Sequence, residues 1–218
     1  SEKQCPMEGR ILKVAANLQK YAGGTGFSFS RLRQKGEIIH GTKGVSSGPV
    51  SFMNLFNTMT EIIKQGSKRR GANMGVLSVN HPDILEFINC KNDFSSFNNF
   101  NISVSATDEF MDAVLGNLDY NLVDPRTKQI IKKLNARKVF ENIVDSAWNT
   151  GDPGIIFIDK INKMHSLSAE IETTNPCGEQ PLLPYESCVL GSINLINFVK
   201  NSDVEWSRLK ETVFTAVH

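Results

Sequence analysis

Gly154-Ile155-Ile156-Phe157-Ile158 is an unbroken apolar run just past Gly151, which ends a helical pattern over Arg137 to Thr150. A run this short and apolar at every position reads as a strand buried on both faces, the habit of parallel sheets. Working outward, the same kind of segment recurs. Asn101 to Ser105 and Met74 to Val79 read as strands, and Gly26 to Leu32 alternates Phe27 and Phe29 with Ser28 and Ser30. Helical patterns lie between them. Met7 to Ala22 carries Ile11, Val14, Ala15, Leu18 and Tyr21 on one face and stops at Gly23-Gly24. Pro49 opens a helix to about Gln65, Pro82 one to about Cys90, and Thr107 caps one to about Leu115. Strand and helix alternate for most of the length, which predicts an α/β fold with largely parallel pairing.

The chain has 218 residues, 40% apolar and 22% charged, with a net charge of +1. That suits one large domain or part of one, and gives no global field for nucleic acid. No apolar run approaches membrane-spanning length, and four cysteines without regular spacing do not resemble a secreted disulfide framework. A reducing, cytoplasmic setting is expected. Residue 1 is Ser rather than Met, and the pattern Trp206, Leu209, Val213 and Val217 runs as a helix from Val204 to His218 without a capping Gly. The expectation is a single partial domain spanning residues 1–218, truncated at both ends. No repeat, low-complexity linker or internal boundary stands out.

Chemistry concentrates at Asn175-Pro176-Cys177-Gly178-Glu179, with a further thiol at Cys188. Amide, thiol and carboxylate occupy alternate positions, so an extended segment would point them to one side. Pro176 and Gly178 favour a bent, tightly packed loop over a helix. A thiol flanked by an amide and a possible base can act on a polyhydroxylated substrate; two structural cysteines are the plainer alternative. Gly23-Gly24-Thr25-Gly26 follows a helix and precedes a strand. That is the reverse of a dinucleotide fingerprint, leaving a helix stop or a close ligand approach. Gly66-Ser67-Lys68-Arg69-Arg70-Gly71 has phosphate-loop glycine spacing but lacks the following Lys-Ser/Thr. It is either an anion-binding loop or a solvated basic turn. The histidines at 40, 81, 165 and 218 form no metal-ligand spacing, so no metal site is expected. Cys5 and Cys90 stand alone, in packing or surface roles.

Three blocks together resemble the ribonucleotide reductases. The first is Asn175 to Glu179 with Pro181-Leu182-Leu183-Pro184-Tyr185-Glu186-Ser187-Cys188 and Gly191-Ser192-Ile193-Asn194-Leu195. The second is Gly23 to Arg33. The third is Lys68-Arg69-Arg70-Gly71-Ala72-Asn73-Met74-Gly75 running into His81-Pro82-Asp83-Ile84. The likeness covers nearly the whole chain in order. Pro176 and Gly178 make it most similar to the adenosylcobalamin-dependent class rather than to the large subunit of the di-iron-dependent class.

The resemblance implies about half of a ten-stranded α/β barrel, its N-terminal half, with Cys177 at the tip of an internal loop. It implies adenosylcobalamin as cofactor and radical reduction of a ribonucleoside di- or triphosphate to the deoxyribonucleotide. Cys177 would carry the thiyl radical, Glu179 would take the 3′-hydroxyl proton, and Asn175 would hydrogen-bond the substrate hydroxyls. Cys188 would be one thiol of the reducing pair, renewed by a thioredoxin-like reductant. The other thiol is expected shortly before Met7, where Cys5 does not match. Gly24, Gly71, Ala72, Pro176 and Gly178 would line the substrate. Arg33, Lys64, Gln65 and Arg69 would bind a deoxynucleoside triphosphate effector at a dimer interface. A homodimer, or a complementing barrel half, would complete the enzyme. A nucleotide-binding or assembly module without catalysis is the alternative from another class.

Overall fold

A computed structural model describes all residues except 1–4, 22, 40, 42, 64–70 and 94–95, and gives only the backbone for 5–9. Its internal contacts divide the chain into two compact units, Ser1–Tyr185 and Glu186–His218.

The first unit opens with α1 (Cys5–Lys20), β1 (Thr25–Ser28), the short antiparallel pair β2 (Ile38–Ile39) and β3 (Gly44–Val45), and α2 (Pro49–Ile62). Next come β4 (Asn73–Ser78), α3 (Ile84–Asn89), β5 (Phe100–Ala106) and α4 (Asp108–Gly116). An antiparallel hairpin, β6 (Asp119–Val123) and β7 (Ile130–Asn135), leads into α5 (Ala136–Thr150), β8 (Gly154–Phe157) and α6 (Ile158–Met164). A second hairpin, β9 (Thr173–Thr174) and β10 (Pro181–Leu182), closes the unit. Local chemistry sets several of these limits. Pro49 takes the first turn of α2, Thr107 Oγ1 accepts from Phe110 N at 3.1 Å to start α4, and Gly151 ends α5 at φ +85°.

β1, β4, β5 and β8 form one sheet in the order β1-β4-β5-β8, and every pairing is parallel. The expected α/β alternation is therefore present. Some elements differ from the sequence reading. Ile158 begins α6 instead of extending the last strand, and β6–β7 form a hairpin where no strand was expected. In β7 the run Ile130-Ile131-Lys132-Lys133-Leu134-Asn135 does not alternate, because the strand is exposed over most of its length and no buried face imposes a period.

Strand register assigns each residue a face. Phe100, Ile102, Val104 and Ala106 share one side with Phe27, Leu77 and Ile155, and pack against Met53 and Phe56 of α2, Phe87 and Ile88 of α3, Phe110 of α4 and Ile143 of α5. The opposite side carries Gly26, Ser28, Met74, Val76, Ser78, Asn101, Ser103, Ser105, Gly154 and Ile156. Only Met74, Val76 and Ile156 make an apolar cluster there, capped by Ile158 and Ile161 of α6.

The second unit holds a 3-10 turn (Leu195–Phe198), the hairpin β11 (Val199–Lys200) and β12 (Asp203–Val204), and α7 (Trp206–Val217). The Arg208 guanidinium lies 5.0 Å over the Phe198 ring. The expected terminal helix forms, with Trp206, Val213 and Val217 exposed. Among the described residues no helix is long and apolar enough to cross a membrane.

Candidate functional site

The segment from Glu172 to Pro176 crosses the serine-lined face of the sheet against the direction of its strands. Glu172 pairs with Arg31 beyond the C-terminal end of β1. Two residues on, the Thr174 carbonyl sits against Gly26, so close that a Cβ at 26 would overlap its oxygen. Two further on, the Pro176 ring covers Gly24, where a Cβ would lie 2.6 Å from Cγ and 2.8 Å from Cδ. The two glycines recur every second residue because β1 presents every second residue to this face. Their requirement comes from the chain's own hairpin passing at backbone distance, an approach that composition could not tell apart from a ligand's.

The hairpin tip is a tight turn. Asn175 N donates to Gln180 O at 3.2 Å, Gly178 N to Asn175 O at 3.0 Å, and Gln180 N to Asn175 Oδ1 at 3.0 Å. Gly178 is at φ +84°, a conformation that favours glycine. Asn175, Cys177 and Glu179 thus lie on a turn, not on the extended segment that would align them by alternation. The bent loop expected from Pro176 and Gly178 is what forms. Pro176 is buried and Asn175 half-buried, while Cys177 and Glu179 are exposed at the tip. With Oδ1 of Asn175 accepting from Gln180 N, its Nδ2 is left to donate.

The structure brings Gly24, Ala72, Asn175, Pro176, Cys177, Gly178 and Glu179 together at the N-terminal ends of β1 and β4. Thr25 N donates to Ala72 O at 3.2 Å, and that oxygen is 3.8 Å from where a Gly24 Cβ would stand. Gly71 sits just behind, where a Cβ would meet Thr60 Cγ2 at 2.8 Å and Gln19 Oε1 at 2.9 Å. Cys188 belongs to the second unit and is an exposed free thiol. Arg33 Nε is 3.8 Å from Glu37 Oε1, which also accepts from Arg126 Nη2 at 2.9 Å. The other three effector candidates, Lys64, Gln65 and Arg69, lie outside the described residues. Among those described, no group of His, Cys, Asp or Glu is arranged to hold a metal ion. Burial pushes the Cys90 thiol up to about 12, so it stays protonated and packs as an apolar side chain.

Sequence reading missed two features. Asn73 is fully buried, and its Oδ1 accepts from Gln19 Nε2 and Thr25 Oγ1, both at 2.6 Å. Its Nδ2 donates to Thr60 Oγ1 at 2.9 Å and Asn99 O at 3.0 Å. One amide thereby joins α1, α2, β1 and β4 beneath Gly71. The second is Asn101, whose Nδ2 donates to Pro176 O at 2.7 Å. The signal for Asn101 was its place in Phe100-Asn101-Ile102-Ser103-Val104, a strict alternation that sets it on the hairpin side. The cleft of ≈ 610 Å³ around Ser30, Ser78 and His81 lies at the other end of the strands, and Arg31 and Glu172 on its wall already pair with each other. It holds no thiol, and the candidate site is the hairpin tip.

Residues 9–218 match the sequence profile of the ribonucleotide reductase barrel domain. The chain belongs to the ribonucleotide reductase family. It is 57% identical over 210 residues to the vitamin B12-dependent ribonucleoside-diphosphate reductase of Thermoplasma acidophilum, covering 94% of this chain and 27% of that protein. Against the enzyme of the same name from Mycobacterium tuberculosis it is 46% identical over 209 residues, covering 94% and 30%. Against the vitamin B12-dependent ribonucleotide reductase of Rhodopirellula baltica it is 36% identical over 220 residues, covering 88% and 21%. The chain thus spans under a third of the length of these relatives. The four parallel strands are part of the ribonucleotide reductase barrel, and the hairpin lies on their serine-lined face.

Proposed function

We propose that this chain supplies the radical-cysteine hairpin of a vitamin B12-dependent ribonucleotide reductase. The observation that carries the reading is the hairpin itself: a leg held to the sheet at backbone distance, with a free thiol at its tip between an amide and a carboxylate. The names of the relatives support adenosylcobalamin over a di-iron subunit, and ribonucleoside diphosphates as substrates.

When bound, adenosylcobalamin supplies a carbon-centred radical. What this chain offers toward it is the Cys177 sulfur, exposed and unpaired, with a hydrogen atom to give. The resulting thiyl takes the ribose 3′-hydrogen. Glu179 accepts the 3′-hydroxyl proton, and Asn175 Nδ2 donates to a substrate hydroxyl. The 2′-hydroxyl leaves as water, a dithiol including Cys188 provides two electrons and two protons as it closes to a disulfide, and the 3′-hydrogen returns from Cys177. Gly24, Gly71, Ala72, Pro176 and Gly178 are proposed to face the substrate. Radical chemistry requires the exposed tip to be closed from water, which we assign to the whole enzyme.

A deoxynucleoside triphosphate effector near Arg33, Lys64, Gln65 and Arg69, a thioredoxin-like reductant, a homodimer or complementing barrel half, and a cytoplasmic setting complete the proposal. The decisive experiment is Cys177→Ala in the enzyme carrying this chain. Reduction should fall to background while nucleotide affinity stays within about twofold, since the thiol acts after binding. Turnover by the Ala variant, or turnover that ignores adenosylcobalamin and needs a separate radical-generating subunit, would overturn the reading.

A further inference from the structure

Cys177 is the residue whose position matters most in this proposal, and its side chain is an exposed free thiol. The restraint therefore has to come from the backbone on either side. On the C-terminal side, Gly178 at φ +84° ties its N–H to Asn175 O at 3.0 Å. On the N-terminal side, the pyrrolidine ring already locks φ of Pro176, and Gly24 packs flat against that ring. The torsion that turns the peptide plane shared by Pro176 and Cys177 is then ψ of Pro176. The carbonyl of that plane accepts from Asn101 Nδ2 at 2.7 Å. The orientation of the Asn101 amide follows from its partner, because a carbonyl oxygen can accept only from Nδ2.

We infer that Asn101 is a positioning residue for Cys177: by holding the Pro176 carbonyl it fixes the peptide plane from which Cys177 departs, and with the Gly178–Asn175 bond closing the turn on the other side it restricts where the thiol can point. The inference rests on the reading of Cys177 as the reactive thiol. Asn101 stands in register with Gly26 and Met74, the same row of the sheet that the hairpin crosses. β5 is an inner strand flanked by β4 and β8. The donor is therefore mounted on a rigid element and reaches a mobile type of structure, a hairpin tip, at one atom. The other donors on the tip close the turn on itself. Asn101 is the residue that ties the tip's peptide plane to the sheet.

Two variants test this in the enzyme carrying the chain. Asn101→Ala removes the donor. It should lower kcat on the order of 10–100-fold with KM within about twofold, the mark of a misplaced reacting group with intact binding. Asn101→Asp keeps the shape but turns a carboxylate toward the carbonyl at neutral pH, so its kcat should fall at least as far. Its ratio to wild type should then rise as pH drops and the protonated carboxyl regains a donor. Amide hydrogen exchange, which needs no turnover, should quicken about tenfold or more at Gly178 and Gln180, the bonded amides of the tip, in both variants and stay unchanged in β4 and β5. Wild-type kcat in both variants overturns the inference, as does unchanged exchange at the tip, or a kcat loss matched by exchange rising across the whole sheet. An active Cys177→Ala enzyme would instead sink the radical reading, and the exchange data would still report whether Asn101 holds the tip.

Discussion

The two faces of the parallel sheet are built from alternate residues of the same four strands, and they do opposite work. One is a packed apolar layer under the helices, centred on Phe27 and Phe29, whose rings lie 4.5–6.4 Å from those of Phe56 and Phe100. The other carries mostly small and polar residues around one apolar patch of Met74, Val76 and Ile156, and a segment of chain crosses it closely enough to exclude a methyl group at Gly24 and Gly26. A parallel strand with helices on both sides reads apolar throughout. β5 instead alternates Phe-Asn-Ile-Ser-Val-Ser-Ala, and the polar half of that alternation marks the face reserved for something other than packing. Stability is concentrated on one side, chemistry on the other.

The sharpest way to break this division is to truncate the helix side. Phe100 is 2% exposed and touches two other rings of the cluster. Phe100→Ala should cost about 3–5 kcal/mol of unfolding free energy, read as a lower urea midpoint with unchanged slope. A loss under about 1 kcal/mol would mean that the helices do not carry the fold. On the hairpin side Gly26→Ala should do the reverse. Its Cβ meets a backbone oxygen that cannot rotate away, so the leg must lift. Reduction should then drop by about 100-fold or more while the helix-side core keeps most of its stability. Gly75→Ala is the matched control, since its new methyl would meet Met53 Sδ at 3.0 Å and Phe100 Cδ1 at 3.2 Å on the helix side. The flexible thioether can shift, and the expected cost is about 1 kcal/mol with little effect on the tip.

One feature crosses the division. Asn73 is an amide on the apolar side, and it is satisfied from four directions. Asn73→Ala leaves Gln19, Thr25 and Thr60 without that partner in a buried site, at about 2–3 kcal/mol. Because Gly71 packs on this cluster, the change should also loosen the backbone leading from residue 71 to β4, read as faster amide exchange there than in β5. Equal exchange in both strands would show that the amide merely fills space.

Much of this was legible in the sequence. The apolar run at 154–158 and its counterparts marked the four strands and their parallel pairing, because strands that alternate with helices are read from local pattern. Thr107 gave its helix start, because a cap acts within four residues. The loop Asn175–Glu179 gave the candidate thiol and its bend. What alternation alone could not supply was the crossing of that loop over β1, since Gly24 and Pro176 are remote in sequence and meet only in three dimensions. The bonds of Asn73 and Asn101 were hidden for the same reason. The flat pattern of β7 hid a hairpin because exposure removed the period.

The smallest expected effect lies at the far end of the strands, where neither face dominates. His81 is 2% exposed, receives Asp83 N at Nδ1 at 3.0 Å, and faces Leu32 O from Nε2 at 3.0 Å. With Nδ1 accepting, the ring is neutral and its proton is on Nε2. Burial holds its pKa below the ordinary 6.5, while the bond to Leu32 O and the charges of Asp83 and Asp124 pull the other way. An unfolded His takes up a proton as pH falls through about 6.5, and the folded one does so only lower, so the unfolded state binds more protons across that window. Stability should therefore fall as pH drops from 7.5 to 6, by less than about 1 kcal/mol for this single group. The fall should be absent from the same urea titration of His81→Gln. Amide exchange at the hairpin tip should be the same at both pH values once corrected for the intrinsic rate. If the tip loosened in step with His81, the two ends of the sheet would be coupled, and the separation between a stabilising and a reactive face would hold only along the strands' middle rows.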